Sequence, residues 1–346
     1  MNVVGIIAEF NPFHNGHAYY INKIKEMYPE SILICVTSSS FSQRGELSIL
    51  NKWEKTDIAL NNNIDLVIEL PYFFTVQSAN IFAHASLQIL NEFKIDTLIF
   101  GSESNDINLL KEYANIDNYE DKFPPNDILG VSYIKEIIKN KYNINPITIK
   151  RTNEYHDKDN NSSIVSASNI REKFYNNKDI RKYIPKITYK YLKNKKLDNN
   201  KYLDLLKYKI INNNLINYLD VNDELSNKLK NNIFDFNNID LLIKNIKTKR
   251  YNYSKISRML NHILIGLNKK DTSNIKNIEY IRILGFNNIG KKYLHDVKKK
   301  INYPIIYNYN KDYISSNYEL NATKVYSIIT NDNIIDKEYK KTIIIK

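Results

Sequence analysis

The sequence predicts an α/β protein, with a Rossmann-like parallel sheet of five strands in its first half and a mostly α-helical second half. As far as about residue 150, short apolar runs rich in β-branched residues alternate with amphipathic helical patterns. Such alternation is typical of a parallel sheet covered by helices on both faces. Beyond about residue 181, lysine-rich helical patterns replace the apolar runs. We therefore expect one domain over residues 1–180 and a basic, mainly helical domain over residues 181–346.

The predicted strands cover residues 3–8, 31–36, 65–70, 96–100 and 146–150, and the helices between them cover residues 18–28, 53–61, 76–93 and 128–142. In the second half, helices are predicted over residues 189–196, 202–211, 225–231, 239–246 and 253–266. Residues 303–346 give no clear pattern. Because ligands of parallel sheets bind beyond the carboxyl ends of the strands, the segments that follow the five strands should face one crevice.

Composition and charge limit the class of protein. The chain has 346 residues, 42% of them hydrophobic, which is enough for two globular domains. Its formal charge of +12 is consistent with a polyanionic partner, although lysine is abundant throughout the chain. The single cysteine, Cys35, excludes an internal disulfide, and neither a signal peptide nor an apolar run of about 20 residues is present. We expect a cytoplasmic protein without a membrane span.

The turn after the first strand carries an H-x-G-H motif, formed by His14, Gly16 and His17. A helical pattern starts at Ala18, so free backbone N–H groups and the positive end of a helix dipole lie beside the two imidazoles, an arrangement that suits phosphate. This motif is the signature of nucleotidyltransferase-like α/β folds. Both histidines would donate hydrogen bonds to an ATP phosphate and stabilise charge at the α-phosphate. The alternative is a turn with two incidental surface histidines, which the strand–turn–helix context disfavours.

A second anion site is predicted at Ser166-Ala167-Ser168-Asn169-Ile170-Arg171. Ser166 or Ser168 is suited to cap a helix, which would place Arg171 in the first turns beside free N–H groups. The segment is similar to the S-x-S/T-x-x-R element that accompanies H-x-G-H in nucleotidyltransferases and closes over the β- and γ-phosphates. The pair of motifs in this order is more specific than either motif alone.

Two further loops carry useful groups. Gln43 and Arg44 follow the second strand, and the arginine suits a phosphate or carboxylate. Gly101 ends the fourth strand, where a missing side chain would admit adenine or ribose. A solvated loop and an ordinary turn are equally compatible with these two patterns. No H-E-x-x-H motif and no pair of C-x-x-C motifs is present, so no metal site is predicted.

In the second half, residues 247–258 interleave cations with tyrosines, which suits phosphates and unpaired bases, although an exposed basic helix is equally compatible. Residues 285–292 nearly match a P-loop, but Lys292 stands where a Ser or Thr should bind Mg²⁺. We expect a helix–turn–helix there instead, with Lys291 and Lys292 facing RNA.

Taken together, these motifs resemble those of the bacterial tRNA(Met) cytidine acetate ligases over nearly the whole chain. Similar nucleotidyltransferases share the H-x-G-H motif but lack the Gln-Arg-Gly-Glu and Glu-Leu-Pro-Tyr blocks of residues 43–46 and 69–72. The matching segments are residues 4–17, 41–46, 65–72, 100–103, 126–130, 155–157, 166–171, 249–251 with Arg258, and 282–286.

The resemblance implies a two-step reaction. Acetate and ATP, with Mg²⁺ bound to the nucleotide, would give acetyl-adenylate and pyrophosphate. The N4 amine of the wobble cytidine of elongator tRNA(Met) would then take the acetyl group to form N4-acetylcytidine, without acetyl-coenzyme A. The helical domain would hold the anticodon arm, and the wobble base would leave its stack to enter the crevice.

The resemblance also implies roles for individual residues. His14, His17 and Arg171 would be catalytic, Gln43 and Arg44 would line the substrate pocket, and no residue is assigned to a metal. The ATP-binding residues would be Ile7, Ala8, Glu9, Phe10, Asn11, Phe13, His14, Gly16, His17, Tyr20, Gly101, Asn153, Asn169, Ile170 and Arg171. The tRNA-binding residues would be Lys249, Arg250, Tyr251, Arg258, Arg282, Lys291 and Lys292.

The chain departs from the family pattern at Ser39-Ser40 and at Leu47-Ser48, and its second half is shorter than usual. Two other functions stay open. One is a small-molecule adenylyltransferase acting on a mononucleotide or on pantetheine phosphate, which the basic, tyrosine-rich second half disfavours. The other is a non-catalytic tRNA-binding protein, which the intact H-x-G-H motif and Arg171 disfavour.

Overall fold

One mixed sheet organises the computed structural model of the chain, which describes residues 2–116, 122–151, 163–195 and 197–346. In the order β5-β4-β1-β2-β3, five strands are parallel, which confirms the predicted five-stranded parallel sheet. The strands of the described residues are β1 Val3–Ala8, β2 Ile32–Ser38, β3 Leu66–Leu70, β4 Thr97–Ser102, β5 Asn145–Lys150, β6 Ile281–Phe286, β7 Ile305–Ile306 and β8 Ile344–Ile345.

Helices cover this sheet and make up most of the second half. Those of the first half are α1 Asn15–Met27, α2 Lys52–Leu60, α3 Tyr72–Thr75, α4 Ala79–Glu92, α5 Ile107–Tyr113 and α6 Pro125–Lys139. Those of the second half are α7 Ala167–Tyr175, α8 Lys186–Leu192, α9 Asn199–Asn212, α10 Asp223–Asn232, α11 Ile239–Ile246, α12 Tyr253–Ile265, α13 Lys269–Asn274, α14 Asn288–Val297, α15 Ile314–Thr330 and α16 Ile335–Tyr339. Within the described ranges, no helix is both long and apolar enough to span a membrane.

Alternation along the strands gives the sheet two buried faces. In β2, Ile34 and Val36 belong to the core cluster that also contains Phe82 of α4, whereas Leu33 and Cys35 belong to the cluster on the other face. Successive side chains of a strand point to opposite faces of the sheet, so a strand buried on both faces contributes alternately to the two clusters. The first of these clusters continues into the helical half through α9 and α12, so the two halves of the chain share one core.

The sheet crosses the boundary expected at residue 180. Strand β6 pairs antiparallel with β3, and β7 and β8 both pair parallel with β6. The second half of the chain thus extends the predicted five-stranded parallel sheet by three strands that were not predicted from the sequence. An antiparallel edge strand on an otherwise parallel sheet is common in large mixed sheets.

The helix–turn–helix expected over residues 285–292 is also wrong, because β6 runs to Phe286 and α14 begins at Asn288. The segment is still not a phosphate loop. Asn287 caps α14 by accepting a hydrogen bond from Gly290 N, and its amide donates to Asp65 Oδ1 at 2.7 Å. A Cβ at Gly290 would overlap the Asp65 carbonyl, so this glycine permits close packing of α14 on the chain before β3.

A buried cluster of charges joins the two halves. Lys52 Nζ lies 2.5 Å from Glu69, 2.9 Å from Glu319 and 2.6 Å from Glu338. Arg282 of β6 contacts Glu338 and lies 3.6 Å from Glu69. The prediction that Arg282 binds tRNA is therefore wrong, because its side chain is 2% exposed and engaged with carboxylates. Burial raises the pKa of Glu69 to about 7, against the opposing effect of Lys52.

Replacing Lys52 by methionine should destabilise the protein strongly. The substitution keeps the length of the side chain but leaves three buried carboxylates with Arg282 as their only cation in the cluster. We expect a loss of about 3–5 kcal/mol in the free energy of unfolding, measured by urea denaturation at pH 7. The deficit should shrink as the pH is lowered, because the carboxylates can then take up protons.

The matched control is Lys23→Met, which removes the same type of group from an exposed pair with Glu26. That variant should have the same midpoint of urea denaturation as the parent protein. A Lys52→Met protein as stable as this control would contradict the structural importance of the cluster.

Candidate active site

A cavity of about 280 Å³ opens beyond the carboxyl ends of β1, β4 and β5. The turn after β1, the loop after β2, the start of α7 and one side of α6 complete its wall. The predicted site residues that line it are Ile7, Ala8, Glu9, Phe10, Asn11, His14, Gly16, His17, Tyr20, Gln43, Arg44, Gly101 and Arg171. The crevice expected at this end of the sheet is therefore present.

Not every segment that follows a strand reaches the cavity. Residues 71–77 follow β3, but they are buried and do not line it, so the expectation that all five segments face the crevice is wrong. This segment supports the wall instead. The carbonyl of Gln77 accepts a hydrogen bond of 2.6 Å from Gln43 Nε2, which holds the loop after β2 in place.

Three predicted ATP-binding residues also lie behind the wall. Phe13 and Ile170 are completely buried in the core, and the Phe13 ring packs 5.5 Å from the ring of His17. Asn169 is in the first turn of α7, and its buried Oδ1 has no hydrogen-bond partner among the described residues. Their side chains shape the site without lining the cavity. Asn153 lies outside the described residues, as does the segment 155–157.

The two histidines of the motif form a capping box at the start of α1. The backbone N–H of Gly16 donates to His14 Nδ1 at 3.0 Å, and the backbone N–H of His14 donates to His17 Nδ1 at 3.2 Å. The two ring centroids are 3.9 Å apart. Since each Nδ1 accepts a hydrogen bond, the proton of each neutral ring resides on Nε2.

Both rings are neutral at physiological pH. Burial lowers the pKa of His14 to about 3, and the positive charges of Arg151 and Arg171 act in the same direction. Burial also holds the pKa of His17 far below its ordinary value, with further contributions from His14 and Arg151. The site thus offers two Nε2–H donors without placing positive charge on either ring.

Arg171 closes one side of the cavity and is held by two partners. Its guanidinium donates to the Asn11 carbonyl at 2.9 Å and to Glu46 Oε2 at 2.5 Å. Ser166 caps α7 by accepting a hydrogen bond of 3.2 Å from Asn169 N, as predicted for one of the two serines. Arg171 therefore contacts the turn that leads into the H-x-G-H motif, 160 residues earlier in the chain.

The loop that carries Gln43 and Arg44 rests on helix α12 of the second half. The Gly45 carbonyl accepts hydrogen bonds from Ser257 Oγ at 3.1 Å and from Asn261 Nδ2 at 2.6 Å. Gly45 has a φ of +80°, and a Cβ there would lie 2.8 Å from Arg258 N. Only glycine fits this conformation and this contact without strain.

Further groups on the wall were missed in the sequence. Arg151, directly after β5, matters most because its charge bears on both histidines. The rule that ligands bind beyond strand ends would have found it. The other missed lining residues are Tyr19, Ser42, Glu46, Phe82, Phe100, Asn126, Leu129, Tyr133, Ile149 and Lys150. Ser166, Ala167 and Ser168 of the predicted second anion site also line the cavity.

The remaining residues predicted to bind tRNA fall into four groups. Lys249 and Arg250 are exposed just before α12. Tyr251 is 4% exposed, and its hydroxyl accepts a hydrogen bond of 2.8 Å from Asn222, so the prediction that it contacts tRNA is wrong. Arg258 is partly buried behind Gly45, and burial lowers its pKa.

Lys291 and Lys292 are exposed, but they lie in the first turn of α14 beside Asp65, which precedes β3. They are therefore at the amino ends of the parallel strands, opposite the cavity, so the structure does not bring them together with Lys249 and Arg250. Among the residues that the structure describes, no group of three or more His, Cys, Asp or Glu side chains is placed to hold a metal ion.

Comparison with known proteins gives matches along the chain. The family model described as HIGH Nucleotidyl Transferase matches residues 1–124 and 117–342. A tRNA(Met) cytidine acetate ligase of Clostridium acetobutylicum is 36% identical over the whole of both chains. The protein of that name from Clostridium novyi is 35% identical over 98% of each chain. One from Fusobacterium nucleatum is 37% identical over 87% of this chain and 86% of its own.

Two solved structures have the same fold. A crystal structure of Thermotoga maritima TmcAL without ligand has a TM-score of 0.86 and 26% identity, with complete coverage of both chains. Another, of the same protein bound with alpha-thio ATP, has a TM-score of 0.84 and 24% identity, again with complete coverage.

The protonation states of the histidines can be tested by NMR. In ¹⁵N-histidine-labelled protein at pH 6, long-range ¹H–¹⁵N spectra should show His14 and His17 as neutral Nε2–H tautomers. His84 provides an internal reference, because its hydrogen bond with Glu136 raises its pKa and should keep it protonated.

Signals can be assigned with His14→Asn and His17→Gln, since asparagine is a good helix cap and glutamine preserves the third position of a capping box. A charged ring at either position at pH 6 would contradict the tautomers derived from the two backbone hydrogen bonds.

Proposed function

This chain belongs to the HIGH nucleotidyl transferase family and to the tRNA(Met) cytidine acetate ligases, and on that basis we propose that it activates acetate with ATP and acetylates tRNA. The acceptor is the N4 amine of the wobble cytidine of elongator tRNA(Met), and the product is N4-acetylcytidine. The observation that carries the proposal is the convergence of His14, His17 and Arg171 on one cavity. The reaction uses no acetyl-coenzyme A and takes place in the cytoplasm.

The first step is chemically suited to this cavity. Acetate is a weak nucleophile, so catalysis depends on holding its carboxylate in line with the α-phosphorus and on stabilising the charge that develops there. A carboxylate oxygen attacks the α-phosphorus, and pyrophosphate leaves with the electron pair of the broken P–O bond. The Nε2–H groups of His14 and His17 donate to the phosphate oxygens, and Arg171 supplies a fixed positive charge.

The acetate itself is assigned to the loop after β2. Arg44 lines the cavity with an exposed side chain, whereas Gln43 is buried and anchored to Gln77. A guanidinium can bind a carboxylate through two parallel hydrogen bonds. Mg²⁺ enters with the nucleotide, since it commonly binds substrate phosphates and retains several of its waters.

The anticodon arm is assigned to the region of α12. Lys249 and Arg250 are exposed just before this helix, and residues 257–261 of the helix hold the Gly45 carbonyl. Lys249 and Arg250 thus precede, by only a few helical turns, the part of α12 that contacts the loop after β2. Phosphate contacts at this segment position the arm, and the wobble base is extruded into the cavity.

The proposed reaction is tested with purified protein, ATP, Mg²⁺, ¹³C-labelled acetate and unmodified elongator tRNA(Met), followed by nucleoside mass spectrometry. Labelled N4-acetylcytidine should form, should require ATP and should not require coenzyme A. His17→Ala is the control, and it should give no labelled nucleoside, because one of the phosphate donors is lost.

Other results would point to the alternatives. Acetate-dependent pyrophosphate release without labelled tRNA would show that the acceptor is wrong. Transfer of adenylate to a phosphorylated small molecule would favour an adenylyltransferase. Binding of tRNA without pyrophosphate release would favour a non-catalytic RNA-binding protein.

Lys249→Ala combined with Arg250→Ala should weaken binding of elongator tRNA(Met) and lower the dependence of log K on log salt by about 1–2, because two phosphate contacts are lost. Binding can be measured by filter retention from 50 to 200 mM salt. The charge-matched control is Lys291→Ala combined with Lys292→Ala. These two lysines lie at the end of the strands opposite the cavity, so this variant should bind tRNA as the parent does. Equal effects of the two double substitutions would contradict the proposed tRNA position.

A further inference from the structure

The transfer of acetyl from adenylate to tRNA needs a group that takes the proton lost by the N4 amine, and we infer that Glu9 is that group. The inference rests on the proposed function. The N4 lone pair of cytosine is delocalised into the ring, so the nitrogen becomes strongly acidic as it bonds to the carbonyl carbon. A base in contact with it lowers the barrier of this step.

Most of the other groups on the described cavity wall are unsuited to accept a proton. The Nδ1 atoms of His14 and His17 already accept backbone N–H groups, and their Nε2 atoms carry protons. Glu46 is paired with Arg171 at 2.5 Å. The hydroxyl of Tyr20 donates to the Ile99 carbonyl at 2.6 Å, and burial holds its pKa above the usual value.

Glu9 differs from these groups in its partners. Its Oε1 accepts a hydrogen bond of 2.5 Å from Gln43 N, and its backbone carbonyl accepts one of 3.1 Å from Lys55 Nζ. These two contacts fix the residue at the end of β1, on the cavity wall. Within the described part of the chain, Oε2 has no hydrogen-bond partner, and no cation forms an ion pair with the carboxylate.

The surroundings favour a carboxylate that is more basic than usual. Burial raises the pKa of Glu9, while the hydrogen bond from Gln43 N and the charge of Lys55 act against this rise. The other charged or titratable groups that face it are Glu46 and Arg44 of the loop after β2 and Tyr133 of α6. A carboxylate with a raised pKa remains a competent base near neutral pH.

The transfer step is then balanced. The N4 lone pair forms a bond to the acetyl carbonyl carbon, and the bond from that carbon to the phosphate oxygen breaks, so that AMP leaves with the electron pair. The proton on N4 passes to Glu9 Oε2 and from there to solvent. No oxidant, reductant or further co-reactant is involved.

The test isolates the transfer step by supplying synthetic acetyl-adenylate and elongator tRNA(Met) in single-turnover reactions. Glu9→Gln preserves an oxygen for the hydrogen bond from Gln43 N but cannot take the proton. Its transfer rate should fall by about 10²–10⁴-fold. Acetate-dependent pyrophosphate release should fall by a smaller factor, which reports any separate contribution of Glu9 to ATP binding. Glu9→Asp should recover part of the transfer rate. The charge-matched control is Glu26→Gln, on the exposed face of α1, which should transfer at the parental rate.

The pH profile separates proton transfer from a positioning role. The parental transfer rate should rise with pH as the Glu9 carboxyl ionises and then level off, and this rise should be absent in Glu9→Gln. The inference is overturned if Glu9→Gln transfers acetyl within tenfold of the parent, or if both half-reactions fall equally in folded protein. If the parental protein itself fails to transfer acetyl from the adenylate, the proposed function is wrong. This result differs from the two that overturn the inference about Glu9, because both of those require an active parent.

Discussion

The two backbone hydrogen bonds that the rings of His14 and His17 accept are the constraint on which the site depends. The same two bonds begin helix α1 and orient both imidazoles, because each Nδ1 accepts an N–H that the first helical turn leaves free. Because each ring accepts through Nδ1, its second nitrogen, Nε2, stays available as a donor to the cavity. The start of helix α1 and the orientation of the two rings thus depend on the same two hydrogen bonds. The close packing of the His14 ring on this turn explains the glycine at the third position of the motif. A Cβ at Gly16 would lie 2.7 Å from the His14 ring.

A continuous chain of contacts connects this site with the helical half. Helix α12 holds the Gly45 carbonyl, Glu46 of the same loop binds Arg171, and Arg171 binds the Asn11 carbonyl just before the histidines. Each link is a hydrogen bond to a fixed partner. A shift of α12 would therefore change the position of Arg171 relative to the two histidines. These contacts connect the segment proposed to bind tRNA with the cavity proposed to bind ATP.

The sequence allowed the parallel sheet and most of the cavity wall to be predicted, because both depend on local patterns. Alternation of β-branched strands with helices is visible over ten to twenty residues, and the motifs follow the strand ends. Strand β6 was not predicted, since its partner β3 is more than two hundred residues earlier in the chain. The charged residue Arg282, at the second position of this six-residue strand, also interrupts the apolar pattern.

The residues predicted to bind tRNA show more clearly that contacts between distant parts of the chain cannot be predicted from local patterns. Arg282 and Tyr251 have the side chains that nucleic acids attract, but their partners are distant in sequence. Glu69 and Glu338 neutralise Arg282, and Asn222 occupies the hydroxyl of Tyr251. Lys291 and Lys292 are exposed as expected, but only the sheet topology reveals that they lie at the end of the strands opposite the cavity. Whether a side chain is exposed, and which way it faces, depends on the tertiary structure. Its charge and aromatic character can be read from the residue itself.

The cavity separates the two kinds of proton chemistry that its reaction demands. Activation of acetate requires donors that keep their protons while negative charge develops on phosphate, and burial beside arginines gives His14 and His17 this property by suppressing further protonation. Transfer to an amine requires an acceptor, and burial beside few cations gives Glu9 the opposite property. Desolvation is the leading cause in all three cases. One buried cavity can therefore serve both steps, because the same loss of solvent acts in opposite directions on a base and on an acid.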